Sequence, residues 1–164
     1  MHTGRAPREL SDIAASIAAL ASAAGMGVAV AESLTGGSIS AELAAAPGSS
    51  DWFRGAVTAY SSQVKHTVLG VPPGPVISMS CATAMASGVA ALMEADLAVA
   101  VTGVGGPDPQ EDQPPGTVML AVATSSKVVA EQRLRLRGEP GEIVHDTTRC
   151  ALELLEQHLS AAPS

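Results

Sequence analysis

Ser33 and Lys65 are residue types that together suit acyl transfer without histidine or metal. Ser33 closes the apolar run Val28-Ala29-Val30-Ala31-Glu32, and Leu34-Thr35-Gly36-Gly37 follow before a helical pattern begins. That order predicts a hydroxyl at the carboxyl end of a buried strand and the amino end of a helix. Open α/β sheets bind ligands at such ends. Unpaired N–H groups at a helix start can receive an anion or an oxyanion. The same residues also fit a plain turn, with Ser33 or Thr35 as helix cap and the glycines supplying the bend.

A serine nucleophile needs a base. His2 lies in the N-terminal tail, His66 follows no loop signature, and His145 and His158 fall inside the last helical pattern. Serine–lysine chemistry is the remaining variant. A lysine amine accepts the serine proton only when largely neutral, which burial promotes. Tyr60 precedes Lys65 by five positions at a predicted strand end and is placed to relay the proton or orient the amine. Lys65 also fits a solvated helix position, and Tyr60 a sheet edge. Farther on, Thr102-Gly103-Val104-Gly105-Gly106-Pro107 could cradle a phosphate or carboxylate with successive N–H groups or form a tight crossover turn. Asp108, Glu111 and Asp112 in the same loop oppose an anionic ligand.

These residues need a scaffold that brings distant loops together. Helical spacing of Leu10, Ile13, Ile17 and Leu20 predicts a helix over 9–24, ended by Gly25 and Gly27. Strands are predicted at 28–32, 57–60, 97–101, 118–124 and 128–136, the last two joined as a hairpin by Ser125-Ser126-Lys127. Further helices are predicted at 37–46, from Ser61 or Ser62 through Lys65, from Ser78 or Ser80 to about 93, and over 142–159. The long breaker-rich segment 102–116 favours a functional loop over a simple connection. The element order implies one α/β domain, a mixed sheet with helices on both faces.

The 164 residues are 46% apolar but only 2% aromatic, so the core must be built from Val, Ala, Leu, Ile and Met. Net charge is −7 with no Lys/Arg cluster, which argues against nucleic acid as a partner. Arg133, Arg135 and Arg137 alternate with leucines and read as the solvent face of a strand. Cys81 and Cys150 imply two buried thiols in a reducing compartment. No Cys or His pair has metal-ligand spacing, and neither a dinucleotide fingerprint nor a phosphate-loop motif occurs. The first residues do not form a signal peptide. The apolar stretch 82–93 is too short for a membrane span.

The motifs together resemble the CinA C-terminal domain family. Glu32-Ser33-Leu34-Thr35-Gly36-Gly37 resembles its Glu-Ser-Cys-Thr-Gly-Gly signature. Pro47-Gly48-Ser49-Ser50 with Phe53, Tyr60-Ser61 with Lys65, Leu69-Gly70-Val71, Thr102–Pro107 and Gly116-Thr117-Val118 follow in family order. The resemblance covers residues 9–160. It implies a three-layer α/β/α domain with a mixed central sheet, usually dimeric and cytoplasmic. It further implies the activity of the family's stand-alone, PncC-type members, which deamidate nicotinamide mononucleotide in pyridine nucleotide salvage without metal or organic cofactor. On this basis Ser33 is the expected nucleophile, Lys65 the base and Tyr60 its assistant. Thr35, Gly36, Gly37, Ser61, Thr102, Gly103 and Gly106 are expected at the substrate, with N–H groups near 35–37 holding the oxyanion.

The chain departs from the family pattern in places. Ser62 replaces an Asn, the loop 108–115 lacks a Lys, and Pro140 and Val144 replace two arginines suited to a substrate phosphate. Two readings follow: an amidase on a pyridine nucleotide or related ring carboxamide, and a homologue that binds nucleotides or proteins without catalysis.

Overall fold

The computed structural model describes residues 6–161; His2 and the start of the expected tail lie outside them. Five strands form one sheet in the order β2-β1-β3-β4-β5. These are β1 (Val28–Glu32), β2 (Phe53–Thr58), β3 (Leu97–Gly103), β4 (Thr117–Ala123) and β5 (Val128–Arg135). β1 runs parallel to both β2 and β3, whereas β3–β4 and β4–β5 are antiparallel. The helices are α1 (Leu10–Ala24), α2 (Ser38–Ala44), α3 (Ser49–Trp52), α4 (Ser62–Val68), α5 (Met79–Leu92) and α6 (Pro140–Ser160). They cover both faces, giving a three-layer α/β/α fold with a mixed central sheet.

The two faces differ in side-chain size. Val28, Val30, Val99, Val101, Val118, Leu120 and Val122 point into the core shared with α1, α2 and α6. Ala29, Ala31, Ala98, Ala100, Ala121 and Ala123 point toward α5. β1, β3 and β4 are therefore buried on both sides, and, apart from Met119 on the α5 side, their alternation is large against small rather than apolar against polar. Small side chains on the sheet let α5 lie close, as the alanine-rich composition implies. α5 also packs tightly on the end of α4: a Cβ at Gly88 would stand 2.1 Å from the carbonyl oxygen of Leu69, the residue that ends α4.

Local signals account for most element ends. α1 stops at Gly25 in the left-handed conformation (φ 62°). Ser78 caps α5 by accepting the Cys81 N–H at 3.1 Å. α6 begins at Pro140, two residues before the expected start, with Glu139 and Glu142 forming a reciprocal capping box. The largest departure is β2. It begins at Phe53 rather than Val57, directly after α3, a single helical turn that the sequence reading did not contain. Cys81 is buried and Cys150 only half-buried; both are free thiols. Arg133 and Arg135 lie exposed on the edge strand β5.

Candidate active site

The three parallel strands end at one edge of the sheet. Ala31 pairs with Ala100, so Ser33, just past the end of β1, falls level with Thr102, which is still in β3 and paired with Met119 of β4. After β1 the chain turns toward β2, and after β3 it turns toward β4. Connections diverging in this way open a crevice between the two strand ends. Ser33 and Gly103 line that crevice.

The turn after β1 is built around Glu32, whose side chain is fully buried (0% exposed). One carboxylate oxygen accepts the Thr35 hydroxyl at 2.7 Å and the Ile39 N–H at 2.9 Å. The other accepts the Ser40 N–H at 2.9 Å and the Ser40 hydroxyl. Gly36 (φ 61°) and Gly37 (φ 110°) supply left-handed conformations that side chains disfavour. The N–H groups of Ile39 and Ser40 at the α2 start are thus filled by the chain's own carboxylate. The Gly36 N–H donates to the Ser33 carbonyl and the Ser38 N–H to the Thr35 carbonyl. Glu32 was legible only as the polar end of a strand, and no spacing rule pointed to its four donors.

Lys65 sits on α4 with 2% exposure. Its Nζ donates to the Ala59 carbonyl at 2.7 Å and approaches the Tyr60 carbonyl at 3.4 Å. Burial pulls its pKa below the usual lysine range, while nearby Cys81 and then Glu111 push back upward. Tyr60, by contrast, is 73% exposed. Thr102 is buried and donates its hydroxyl to the Val76 carbonyl at 2.7 Å. Gly103 is tightly packed, since a Cβ there would stand 2.4 Å from the Thr117 carbonyl oxygen.

Two adjoining clefts open at this edge. One, of about 270 Å³, runs along Leu34 and the loop from Gly105 to Gln110. The other, of about 330 Å³, reaches Ser62, Lys65, Ile77 and Glu111. Ser33, Tyr60, Gly103 and Gln110 line both. Thr102 lines the second cleft and Gly106 the first. Thr35, Gly36, Gly37 and Ser61 are not among the lining residues of either; Ser61 instead caps α4 by accepting the Val64 N–H at 3.3 Å. Glu111 accepts the N–H groups of Val76 and Ile77 at 2.9 and 2.8 Å, tying the long loop to the segment before α5. No hydrogen bond joins Ser33 to Lys65 among the described residues.

The positions that lack arginines lie on α6. A Cβ on Gly106 would come within 3.9 Å of Pro140, which places the α6 start beside the cleft wall. Arg149, nine residues farther along α6, bonds Asp146 at 3.0 Å and His145 at 2.9 Å. Among the described residues no group of three or more His, Cys, Asp and Glu could hold a metal ion. No described helix is long and apolar enough to cross a membrane.

Comparisons with known proteins agree with this architecture. A family model described as the CinA C-terminal domain matches residues 10–159. A protein of Geobacillus kaustophilus named as competence-damage inducible is 38% identical over 142 residues, covering 84% of this chain and 34% of the relative. A CinA-like protein of Frankia casuarinae is 38% identical over 142 residues, covering 84% and 33%. The chain thus spans about a third of the length of the curated relatives it matches. The crystal structure of a CinA superfamily protein from Klebsiella pneumoniae superposes with a TM-score of 0.90 at 28% identity, covering 94% of this chain and 100% of that one. A competence/damage inducible protein from Agrobacterium tumefaciens gives a TM-score of 0.87 at 32% identity, with coverages of 94% and 97%.

Proposed function

The chain belongs to the CinA C-terminal domain family, and from that membership we propose that it is a serine amidase acting on the ring carboxamide of a pyridine nucleotide or nucleoside. The carrying observation is that Ser33, Tyr60 and Lys65 line one cleft at the crevice between β1 and β3, with the lysine buried. Ser33 Oγ attacks the carboxamide carbon while the neutral Lys65 amine takes its proton. Collapse of the tetrahedral intermediate expels ammonia, protonated by Lys65 with Tyr60 assisting. Water then hydrolyses the acyl-enzyme by the reverse proton route and yields the ring carboxylate.

The oxyanion requires amides other than those engaged with Glu32. Those of Leu34 and Gly105 are the suitable pair. Both residues line the cleft, and a Cβ on Gly105 would lie 3.8 Å from Leu34 Cβ. The residue following a nucleophile commonly supplies one such N–H.

A second reading, ligand binding without turnover, is favoured by the lack of a Ser33–Lys65 hydrogen bond. Ammonia release from nicotinamide mononucleotide and from nicotinamide riboside, with product mass checked, separates the two. We expect the acid product from at least one substrate. Saturable binding of both with no product from either would establish the second reading.

A further inference from the structure

Three N–H sites near the cleft that could receive a substrate phosphate are already taken by the chain's own carboxylates. The α2 start holds the Glu32 carboxylate. At the α6 start, Glu142 accepts the Glu139 N–H at 2.7 Å, and Pro140 stands where the family pattern has an arginine. The adjacent N–H groups of Val76 and Ile77 hold Glu111. Arg149, nine residues into α6, lines neither cleft, and its terminal nitrogens bond Asp146 and His145. The cleft walls carry Asp108 and Glu111, and Lys65 is the one basic side chain lining either cleft among the described residues.

We infer, building on the amidase reading, that this site selects a phosphate-free, cationic carboxamide, an N-substituted pyridinium, over its phosphorylated counterpart. A phosphomonoester brings close to two negative charges at neutral pH. In these clefts it meets two carboxylates and finds no guanidinium fork to replace its hydration. A pyridinium ring carries the opposite charge, and the same carboxylates attract it. Lys65 does not reverse this balance, because its buried amine donates to backbone carbonyls. The acidic loop thus replaces phosphate recognition with selection for positive charge. Such electrostatic complementarity governs which partner is excluded more than absolute affinity.

The test separates specificity from catalysis. Nicotinamide riboside and nicotinamide mononucleotide are titrated by calorimetry into Ser33→Ala, which binds without consuming either. The riboside should bind about tenfold more tightly at low salt, and the gap should narrow at about 0.5 M salt as the carboxylates are screened. Asp108→Asn combined with Glu111→Gln should close most of the gap in a protein whose circular dichroism is unchanged. Equal or tighter binding of the mononucleotide overturns the inference, as does binding of neither ligand. Ammonia release by the unaltered protein is measured in parallel. A riboside preference in binding without any ammonia keeps the specificity and removes the amidase. A higher kcat/KM for the mononucleotide keeps the amidase and removes the specificity.

Discussion

The Thr35 hydroxyl donates to the Glu32 carboxylate at 2.7 Å across three residues, and Ser33 is carried on the turn between them. The buried carboxylate thereby joins the end of β1 to the start of α2 and fixes the direction in which the serine leaves the sheet. Glu32→Gln keeps the shape but places an amide NH₂ against the N–H of Ile39 or Ser40. We expect a loss of about 2 kcal/mol by denaturant titration, together with a fall in kcat larger than any change in KM. Thr35→Val, which removes one hydroxyl, should cost about 1 kcal/mol. Wild-type stability in Glu32→Gln would show that the carboxylate is not holding the turn.

Substitutions at the cleft distinguish the proposed roles. Ser33→Ala should abolish ammonia release with little change in melting temperature. Lys65→Met should do the same, because a thioether accepts no proton. Tyr60→Phe should slow turnover by about tenfold, within the ordinary range of an assisting acid–base group. Unchanged turnover in Ser33→Ala would exclude it as the nucleophile.

Lys65 also makes a pH prediction with a definite sign. Burial lowers its pKa in the folded state below the ordinary lysine value of 10.5. Between the two values the unfolded chain binds more protons, so the stability contribution of Lys65 rises with pH across that window. It is fully present above about 10.5 and is lost as pH falls through the depressed folded value. Turnover should rise through the same folded-state titration. Stability of the wild type relative to Lys65→Met, measured at about pH 7 and about pH 10, should increase; a flat difference would show no linkage at this residue.

Gly88→Ala is the packing test. Its new methyl would stand 2.1 Å from the Leu69 carbonyl oxygen, a backbone atom that cannot turn away. α5 must shift outward, at a cost of about 1–3 kcal/mol, although alanine is the better helix former. A raised melting temperature would mean that the helix moves freely.

Elements governed by local chemistry were legible in the sequence. The limits of β1, the Ser78 cap, the hairpin at 124–127 and the inner positions Ile143, Thr147, Ala151, Leu154 and Leu155 all follow from neighbours a few residues apart. β2 was half hidden because it is an edge strand interrupted by Gly55 at φ 131°. Its start therefore shows no continuous apolar run. The residues lining the candidate site were legible as loops after strands, but their internal bonds were not. Glu111 meets Val76 and Ile77 across 35 and 34 positions, a pairing that no local pattern encodes. Thr35 and Ser61 looked available to a ligand because hydroxyls read alike in sequence; the structure engages Thr35 with Glu32 and Ser61 with Val64.

The valine and alanine faces of the sheet have a consequence for how its strands align. In a sheet with one wet face, a strand displaced by one residue turns its apolar side chains to water and is rejected for that reason. β1, β3 and β4 have no wet face, so hydrophobicity alone would tolerate the slip. Size does not. Moving one of these strands by a single position would thrust valines toward α5 and leave voids of about two methyl groups at each alanine brought beneath α1 and α6. Steric volume, rather than polarity, therefore sets the alignment that brings Ser33 beside Thr102.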